Sequence, residues 1–360
     1  MRHLATLVAL LIAGLAHAEG SSLAVQVLGS GGPRPSAQAS SGALVLVDGV
    51  ARILVDAGPG TLLRAGENRV DLSELDTVLL THLHTDHSVE LPSFATVRSL
   101  DGHGTTRLRV VGPDGNAAFP STRAFVLALL GPQGAYRYVR HFGAELDIEA
   151  TDVPAGKVAT PKQLSVGQGL VVTARGHHHG DAPAVAYRIE HAGKTVVLTG
   201  DVDPSGLPSV EQLASGADLL VISCSVLDPP DSPPGLYERH SPPAAIGRMA
   251  ARARVKALLC THLPPAVRAK SDALRRSLAT GFPGPVTLAT DGLVVAVGPA
   301  APSVDSCQSD ADCSPAQSCL WSRSRRVCVA DCRKTGCGGG GRCVEVQECS
   351  VGPCPWVCER

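Results

Sequence analysis

Four side chains that commonly bind metal ions lie within a run of six residues, His82-Leu83-His84-Thr85-Asp86-His87. The run follows an apolar stretch, residues 77–80, which is predicted to be a buried strand. Imidazole nitrogens suit zinc, a carboxylate adds a hard anionic ligand, and residues two apart on an extended turn can point to one side. The run therefore predicts part of a metal site at a strand end, which more distant ligands must complete.

Further residues of ligand type follow other predicted strands. They are the triplet His177-His178-His179, Asp201 and His262. Each stands where the chain leaves a predicted sheet, so these side chains can converge with the first run. Asp56, followed by Gly58-Pro59-Gly60, is predicted to orient the metal-binding loops rather than to contact metal. Three other histidines have no such setting and are predicted to be surface or core residues: His103, His141 and His191.

The elements that position these residues alternate between short β-rich segments and amphipathic helices up to about residue 300, as in a layered α/β domain. Asp48-Gly49 and Ala192-Gly193-Lys194 predict tight turns between paired strands. Two apolar runs, 218–223 and 255–260, lack alternation and predict buried strands. Ser241-Pro242-Pro243 predicts a well-capped helix start.

The N-terminus has the features of a signal peptide. Arg2 precedes a compact apolar run, residues 4–15, and Ala16-His17-Ala18 fits a small-x-small cleavage pattern. A membrane anchor is the alternative, but the run is shorter than the roughly 20 residues that span a bilayer, and no later segment qualifies. Residues 1–18 are thus predicted to be removed, leaving a periplasmic or secreted protein.

Cysteines are concentrated at the other end of the chain, where ten of the twelve lie between Cys307 and Cys358. That density in an exported protein predicts a disulfide module over residues 301–360, preceded by a linker. The pairing is open, and the module is of a kind that can bind a surface or another protein. Cys224 and Cys260 are predicted to lie on neighbouring strands, either bridged or as buried thiols.

Composition argues against nucleic acid as the main partner. The formal net charge is −1, no dense Lys/Arg tract occurs, and aromatic residues make up 3% of the chain. Such a chain has neither a surface for many phosphates nor platforms for base stacking. A small-molecule ester substrate is the expectation.

Over about residues 23–300, these motifs together resemble the metallo-β-lactamase superfamily, specifically its ribonuclease Z and arylsulfatase-like branch. The resemblance implies an αββα sandwich over residues 19–300, binding two zinc ions or alternatively manganese or iron, with homodimer formation as an option. Besides the histidine run, it rests on 28–33 (LGSGGP), 56–60 (DAGPG), 111–113 (VGP), Gly200-Asp201, His240-Ser241 and 261–263 (THL).

The resemblance also implies a division of the ligands. The first ion would be held by His82, His84 and a histidine of the 177–179 cluster, the second by Asp86, His87 and His262, with Asp201 bridging the two. His179 is favoured within the cluster because His-Gly followed by an apolar strand with Tyr187-Arg188 matches the family pattern. His178 is the alternative.

The chemistry implied is hydrolysis of a phosphodiester or sulfate ester by a metal-bridged hydroxide, since two cations lower the pKa of a shared water from about 15.7 to about 7. Asp86 would ligate and orient that hydroxide. His240 resembles the family histidine that assists the transition state or leaving group. Export and the lack of an evident basic arm cast doubt on transfer RNA as substrate. The alternatives are a lactonase or other carbonyl-ester hydrolase, and a binding or surface-attachment protein that acts through its Cys-rich tail.

Overall fold

Two mixed β-sheets face each other, and helices cover their outer sides. The computed structural model describes residues 22–156, 160–167 and 169–298, and the backbone of 317–322, 325–330, 342–345 and 356–359. The strands of the two large sheets are β1 (Leu23–Gly29), β2 (Gly42–Val47), β3 (Val50–Val55), β4 (Thr77–Leu79), β5 (Thr105–Pro113), β6 (Glu145–Val153), β7 (Lys162–Ser165), β8 (Val171–His179), β9 (Ala182–His191), β10 (Lys194–Leu198), β11 (Leu219–Ser223), β12 (Leu258–Thr261), β13 (Val286–Leu288) and β14 (Val294–Ala296).

The strand order is β14-β1-β2-β3-β4-β5-β6 in the first sheet and β13-β12-β11-β10-β9-β8-β7 in the second. Within them, β3 to β6 run parallel to one another, as do β10 to β13. The helices are α1 (Thr61–Glu67), α2 (Thr85–Ser88), α3 (Leu91–Asp101), α4 (Thr122–Leu130), α5 (Leu207–Leu213), α6 (Pro234–Tyr237), α7 (Pro243–Arg252), α8 (Pro265–Arg268) and α9 (Ser271–Ala279), with a 3₁₀ helix at Arg137–His141. The predicted αββα sandwich is confirmed.

Central strands such as β11 are apolar on both faces because both faces are covered. In β11, Leu219 and Val221 join the core between the sheets. Leu220 and Ile222 join the core between the second sheet and its helices. Side chains alternate across a strand, so a strand buried on both sides reads as a continuous apolar run. This is why the run 218–223 predicted a buried strand.

The predicted tight turns are present and need left-handed backbone. Asp48 and Gly49 join β2 to β3 with φ of 51° and 77°, and Ala192 and Gly193 join β9 to β10 with φ of 47° and 74°. Consecutive positive φ values are typical of the hairpin turn whose twist matches that of the paired strands.

The structure corrects the prediction for Ser241 and decides between the two alternatives for Cys224 and Cys260. Ser241 does not cap α7: its hydroxyl donates to the Val202 carbonyl at 3.0 Å, and Pro242 occupies the cap position without a side-chain bond. Ser241 thereby joins the loop that follows β10 to the start of α7. Cys224 and Cys260 are both buried free thiols, which decides between the two states left open.

The predicted signal peptide, residues 1–18, and most of the Cys-rich tail lie outside the described residues. In the described backbone, β15 (Gln317–Ser322) pairs with β16 (Arg325–Ala330), and β17 (Arg342–Glu345) pairs with β18 (Trp356–Glu359). This register sets Cys319 opposite Cys328 and Cys343 opposite Cys358. The disulfide module remains a prediction. None of the helices in the described part of the chain has the length and hydropathy needed to cross a membrane.

A buried tyrosine links the two sheets. Tyr187 on β9 is fully buried, and its hydroxyl reaches the carbonyls of Leu80 at 2.8 Å and Val111 at 3.2 Å in the opposite sheet. Burial raises the pKa of its phenol well above the usual range, so the hydroxyl stays a donor. A nearby backbone bond from the Val185 amide to the Thr81 carbonyl, 2.8 Å, supports the same junction.

We expect Tyr187→Phe to lower the free energy of unfolding by about 1–3 kcal/mol, because it removes the hydroxyl that donates to the buried Leu80 carbonyl. Urea denaturation would measure the change. Tyr136→Phe is the matched control, since Tyr136 is exposed, and its effect should stay within about 0.5 kcal/mol. Equal stability of Y187F and wild type would show that the hydroxyl contributes nothing to joining the sheets.

Candidate metal centre

The carboxyl ends of strands from both sheets deliver the candidate ligands to one place. His82 follows β4, His179 ends β8, Asp201 follows β10 and His262 follows β12. His84 is the residue before α2, whose single turn carries Asp86 and His87. The first sheet thus supplies the HxHxDH run, and the second sheet supplies the three distant residues.

The candidate ligand atoms form three overlapping groups, each with its atoms within 4.8 Å of one another. The groups are His82, His84 and His179; His82, His87 and Asp201; and Asp86, His87 and His262. His82 and His87 each belong to two groups, so the whole set is continuous. All seven sequence-predicted ligands are brought together, and His84 is the one that is not fully buried.

Asp201 lies at the middle of this set. Its Oδ2 is 3.4 Å from His262 Nε2, 3.7 Å from His87 Nε2, 3.7 Å from His179 Nε2 and 3.9 Å from His240 Nδ1. Its Oδ1 is buried without a hydrogen-bond partner, and so are the facing nitrogens of His87, His179 and His240. A buried carboxylate surrounded by nitrogens that do not bond to it is costly unless a cation lies between them.

The spacing and the donor types fit a zinc centre. Two atoms bound to one tetrahedral zinc ion, each roughly 2.0–2.2 Å from it, lie about 3.3–3.6 Å apart. The separations of Asp201 Oδ2 from His262 and His87 are close to that value. The set combines imidazole nitrogens with carboxylate oxygens, as zinc prefers.

Electrostatics keep the central carboxylate ionised. Burial alone would raise the pKa of Asp201, but the surrounding histidines, His262 foremost, outweigh burial and hold the pKa well below its usual range. Burial lowers the pKa of His82 and His179, which favours the neutral imidazole that a metal ion requires.

Asp56 orients two of the histidines. Its Oδ2 accepts from His87 Nδ1 at 2.8 Å and from the Thr81 hydroxyl at 2.8 Å, and that hydroxyl in turn lies 3.1 Å from His82 Nδ1. Burial lowers the pKa of His87, yet the charge and hydrogen bond of Asp56 outweigh it and raise the pKa to about 9. Both rings therefore use Nδ1 for the protein and leave Nε2 for the centre, the orienting role expected of Asp56.

The two histidines outside the HxHxDH run, His179 and His262, are oriented by partners that the sequence did not reveal. His179 Nδ1 donates to the backbone carbonyl of Arg239 at 2.8 Å. His262 Nδ1 donates to the Ser225 hydroxyl at 2.8 Å, while its Nε2 lies 3.1 Å from Asp86 Oδ2. Neither a backbone carbonyl nor an isolated serine has a sequence pattern that would have singled it out.

The three consecutive histidines have separate surroundings. His179 lies with His82 and His84, whereas His178 Nδ1 points away to Asp203. Asp203, also missed from the sequence, accepts from the Gly180 amide at 2.9 Å and so holds the turn after His179. His177 is buried against the Thr199 carbonyl, 3.0 Å away, and burial lowers its pKa to about 4.

His240 borders the same centre. Its ring centroid is 5.5 Å from that of His179 and 5.7 Å from that of His262. Burial lowers its pKa to about 4, so the ring is neutral near pH 7. By contrast, none of His103, His141 and His191 belongs to a ligand group within the described residues.

Fold and site together define a metal-dependent hydrolase of the metallo-β-lactamase type. The family described as "Beta-lactamase superfamily domain" matches residues 51–263, and the chain belongs to this superfamily. Its homologues include ribonuclease Z of Mycobacterium marinum, 32% identical over 280 residues that cover 74% of this chain and 96% of that protein. Ribonuclease Z of Mycobacterium bovis is likewise 32% identical, over 75% of this chain and 96% of its own length.

Solved structures show the same fold. The metallo-β-lactamase fold protein YhfI from Bacillus subtilis is 26% identical, with a TM-score of 0.59, over 76% of this chain and 99% of its own. Human tRNase Z, short form, has the same TM-score of 0.59 at 20% identity, over 77% of this chain and 100% of its own. The homologues' name denotes action on RNA, which weighs against the expectation, drawn from composition, that nucleic acid is an unlikely partner.

We expect His179→Ala to lose bound zinc and His178→Ala to keep it, because the two adjacent side chains face different partners. Metal analysis of the purified, zinc-loaded proteins would measure zinc per chain, with wild type as reference. Circular dichroism would confirm that both variants fold. Loss of zinc from H178A but not from H179A would place the ligand one residue earlier and contradict the observed orientation.

Proposed function

We propose that this protein is an exported, dinuclear zinc hydrolase that cleaves a phosphodiester. The observation that carries the proposal is the buried Asp201 carboxylate among imidazole nitrogens at separations suited to shared metal ions. Kinship with ribonuclease Z supports a phosphodiester as the bond that is cleaved. The proposed ligands are His82, His84 and His179 for one ion, Asp86, His87 and His262 for the other, and Asp201 between them.

Two zinc ions in such a site supply an activated water and stabilise negative charge on the ester oxygens. The protein's own residues hold and orient the reacting groups. Asp86 lies 3.1 Å from His262 and is only slightly exposed, so its free carboxylate oxygen can accept a hydrogen bond from the attacking water. The buried walls around it limit competing bulk water.

His240 is placed to assist the leaving group. It borders the cluster and is buried, and its Nδ1 has no partner among the described residues. A neutral imidazole can donate an N–H hydrogen bond to an oxygen on which charge develops as the ester bond breaks. We therefore assign Asp86 to orienting the water and His240 to stabilising the departing oxygen.

The rim of the site suits an anionic substrate. Arg239 is exposed, and its side chain lies across Gly180, next to His179. A cation there attracts a phosphodiester or sulfate ester and gives no such benefit to a neutral lactone. We favour a small phosphodiester over transfer RNA, because export would separate the enzyme from intracellular RNA.

We expect zinc-loaded protein to hydrolyse bis(p-nitrophenyl) phosphate, and His240→Ala to lower kcat by about 100- to 10,000-fold, the range for removal of a positioned acid. Initial rates would be measured alongside p-nitrophenyl sulfate, a γ-lactone and a short RNA. The control is His103→Ala, since His103 is exposed and outside the ligand groups. If the sulfate, the lactone or the RNA is hydrolysed faster, that compound class and not the small phosphodiester is the substrate. If a protein that holds two zinc ions hydrolyses none of the compounds, the proposal is refuted.

We further propose that the chain is cleaved after Ala18 and that the tail, residues 301–360, attaches the enzyme to a surface or a second protein. The N-terminal pattern and the cysteine density support these assignments. Sequencing of the mature protein should begin at Glu19. A chain ending at residue 300 should keep hydrolysis and lose attachment, and loss of zinc binding with the tail would contradict this division.

A further inference from the structure

One aromatic side chain packs against His84, the one candidate ligand that is not fully buried. His84 is half-buried while the other candidate ligands are buried. The half-buried ring of Phe119 meets His84 edge to face, with centroids 5.5 Å apart and planes at 61°. Among the described residues, Phe119 is the one non-histidine ring found in contact with a histidine of the cluster.

The loop that carries Phe119 is held by Asn116. The Asn116 side-chain oxygen, Oδ1, accepts hydrogen bonds from the backbone amides of Ala118 and Phe119, both at 2.9 Å. The backbone amide of Asn116 donates to the Phe119 carbonyl at 2.9 Å. These bonds close a compact turn, because an asparagine side chain can replace backbone partners within a loop. The backbone of Phe119 is thereby held in this turn.

The same asparagine ties the loop to the second sheet. Its Nδ2 donates to the Asp181 carbonyl at 2.8 Å, two residues beyond His179. The loop leaves β5 of the first sheet, so Asn116 bridges the two halves of the sandwich at the rim of the metal centre. Phe119 therefore lies beside the most exposed of the candidate ligands, where it can contact a group that approaches the centre past His84.

We propose that Phe119 is a specificity-determining residue that stacks on a planar aromatic group that the substrate carries in addition to its leaving group, either an aryl ring or a nucleobase, and that Asn116 positions it. The inference rests on the proposed function, which it deepens by naming the substrate class. An aromatic side chain beside the candidate metal centre favours a phosphate ester that carries a ring, since aromatic contacts add to the affinity gained from burial alone. Shielding of His84 from solvent is the competing role, and the two roles predict different results.

The first assay compares three diesters with the same p-nitrophenolate leaving group and methyl, phenyl or thymidine-5′ as the second group. Wild type should favour the phenyl and thymidine esters over the methyl ester in kcat/KM by about tenfold, equivalent to about 1.4 kcal/mol. Phe119→Ala should abolish most of that ratio, Phe119→Leu should keep apolar bulk and lose about half of it on a logarithmic scale, and Phe119→Trp should retain it. The phenyl and thymidine arms tell an aryl preference from a nucleobase preference.

Matched controls separate selectivity from general damage. Phe142→Leu removes an exposed ring that contacts Tyr138 and not the histidine cluster, and it should leave the ratio unchanged. Asn116→Ala should raise KM for the phenyl ester by about threefold to tenfold with kcat within about twofold, because it misplaces Phe119 without touching the reacting atoms. A shielding role would instead lower turnover of all three esters equally.

A binding assay keeps the inference independent of turnover. Calorimetry on the zinc-loaded protein would compare phenylphosphonate with methylphosphonate, each of which carries a single organic group. Wild type should bind phenylphosphonate about tenfold more tightly, and F119A should bind the two alike. Equal binding by wild type overturns the inference whether or not diesters are hydrolysed, whereas a phenyl preference lost in F119A without hydrolysis of any diester would overturn the proposed function alone.

Discussion

The structure depends on a buried carboxylate, that of Asp201, whose Oδ1 has no hydrogen-bond partner in the described part of the chain. Asp201 lies in the interior with histidine nitrogens 3.4–3.9 Å away on several sides. Such an ionised group is expensive to remove from water unless opposite charge is supplied close by. Among the described residues, Oδ1 of this carboxylate has no hydrogen-bond donor, and cations bound by the same histidines would supply compensation beyond that of the histidines themselves. The centre is therefore built for cations, and the folded chain has to hold its ligands against their mutual repulsion.

In the sandwich, the core between the sheets is apolar, and the candidate ligands lie at or beyond the ends of the strands. Between the sheets, side chains such as Val25 and Val221 pack into a common core. Buried polar residues follow the strand ends that face the centre, as with Thr81 after β4 and Thr199 after β10. Tyr187 and the bond between Val185 and Thr81 join the sheets at that boundary. Ligands from different sheets consequently keep a constant separation without a long loop to carry any of them.

Local patterns in the sequence predicted the layered α/β fold and the candidate ligands, while the family resemblance supplied the choice of His179 and the division of the ligands between two ions. Continuous apolar runs mark strands covered on both faces, and the HxHxDH run is dense enough to stand out. Ser225 and Asp203 could not be found in the same way. Ser225 bonds to a histidine 37 positions away, and Asp203 to one 25 positions away. Common residue types at such separations carry no pattern until the fold brings them together. Ser241 shows the opposite case, in which a local pattern was misleading: it predicted a helix cap, but in the structure the hydroxyl donates to the distant Val202 carbonyl instead.

The hydrogen bonds behind the histidines show how the two halves of the centre are coupled. Asp56 accepts from His87 directly and reaches His82 through the Thr81 hydroxyl. His82 belongs to the group that includes His84, and His87 to the group that includes His262. One carboxylate thus sets the ring orientation on both sides of Asp201. Because ring orientation decides where Nε2 points, ordering one side also orders the other. The centre is best understood as a single unit whose two parts share a support, rather than as two neighbouring sites.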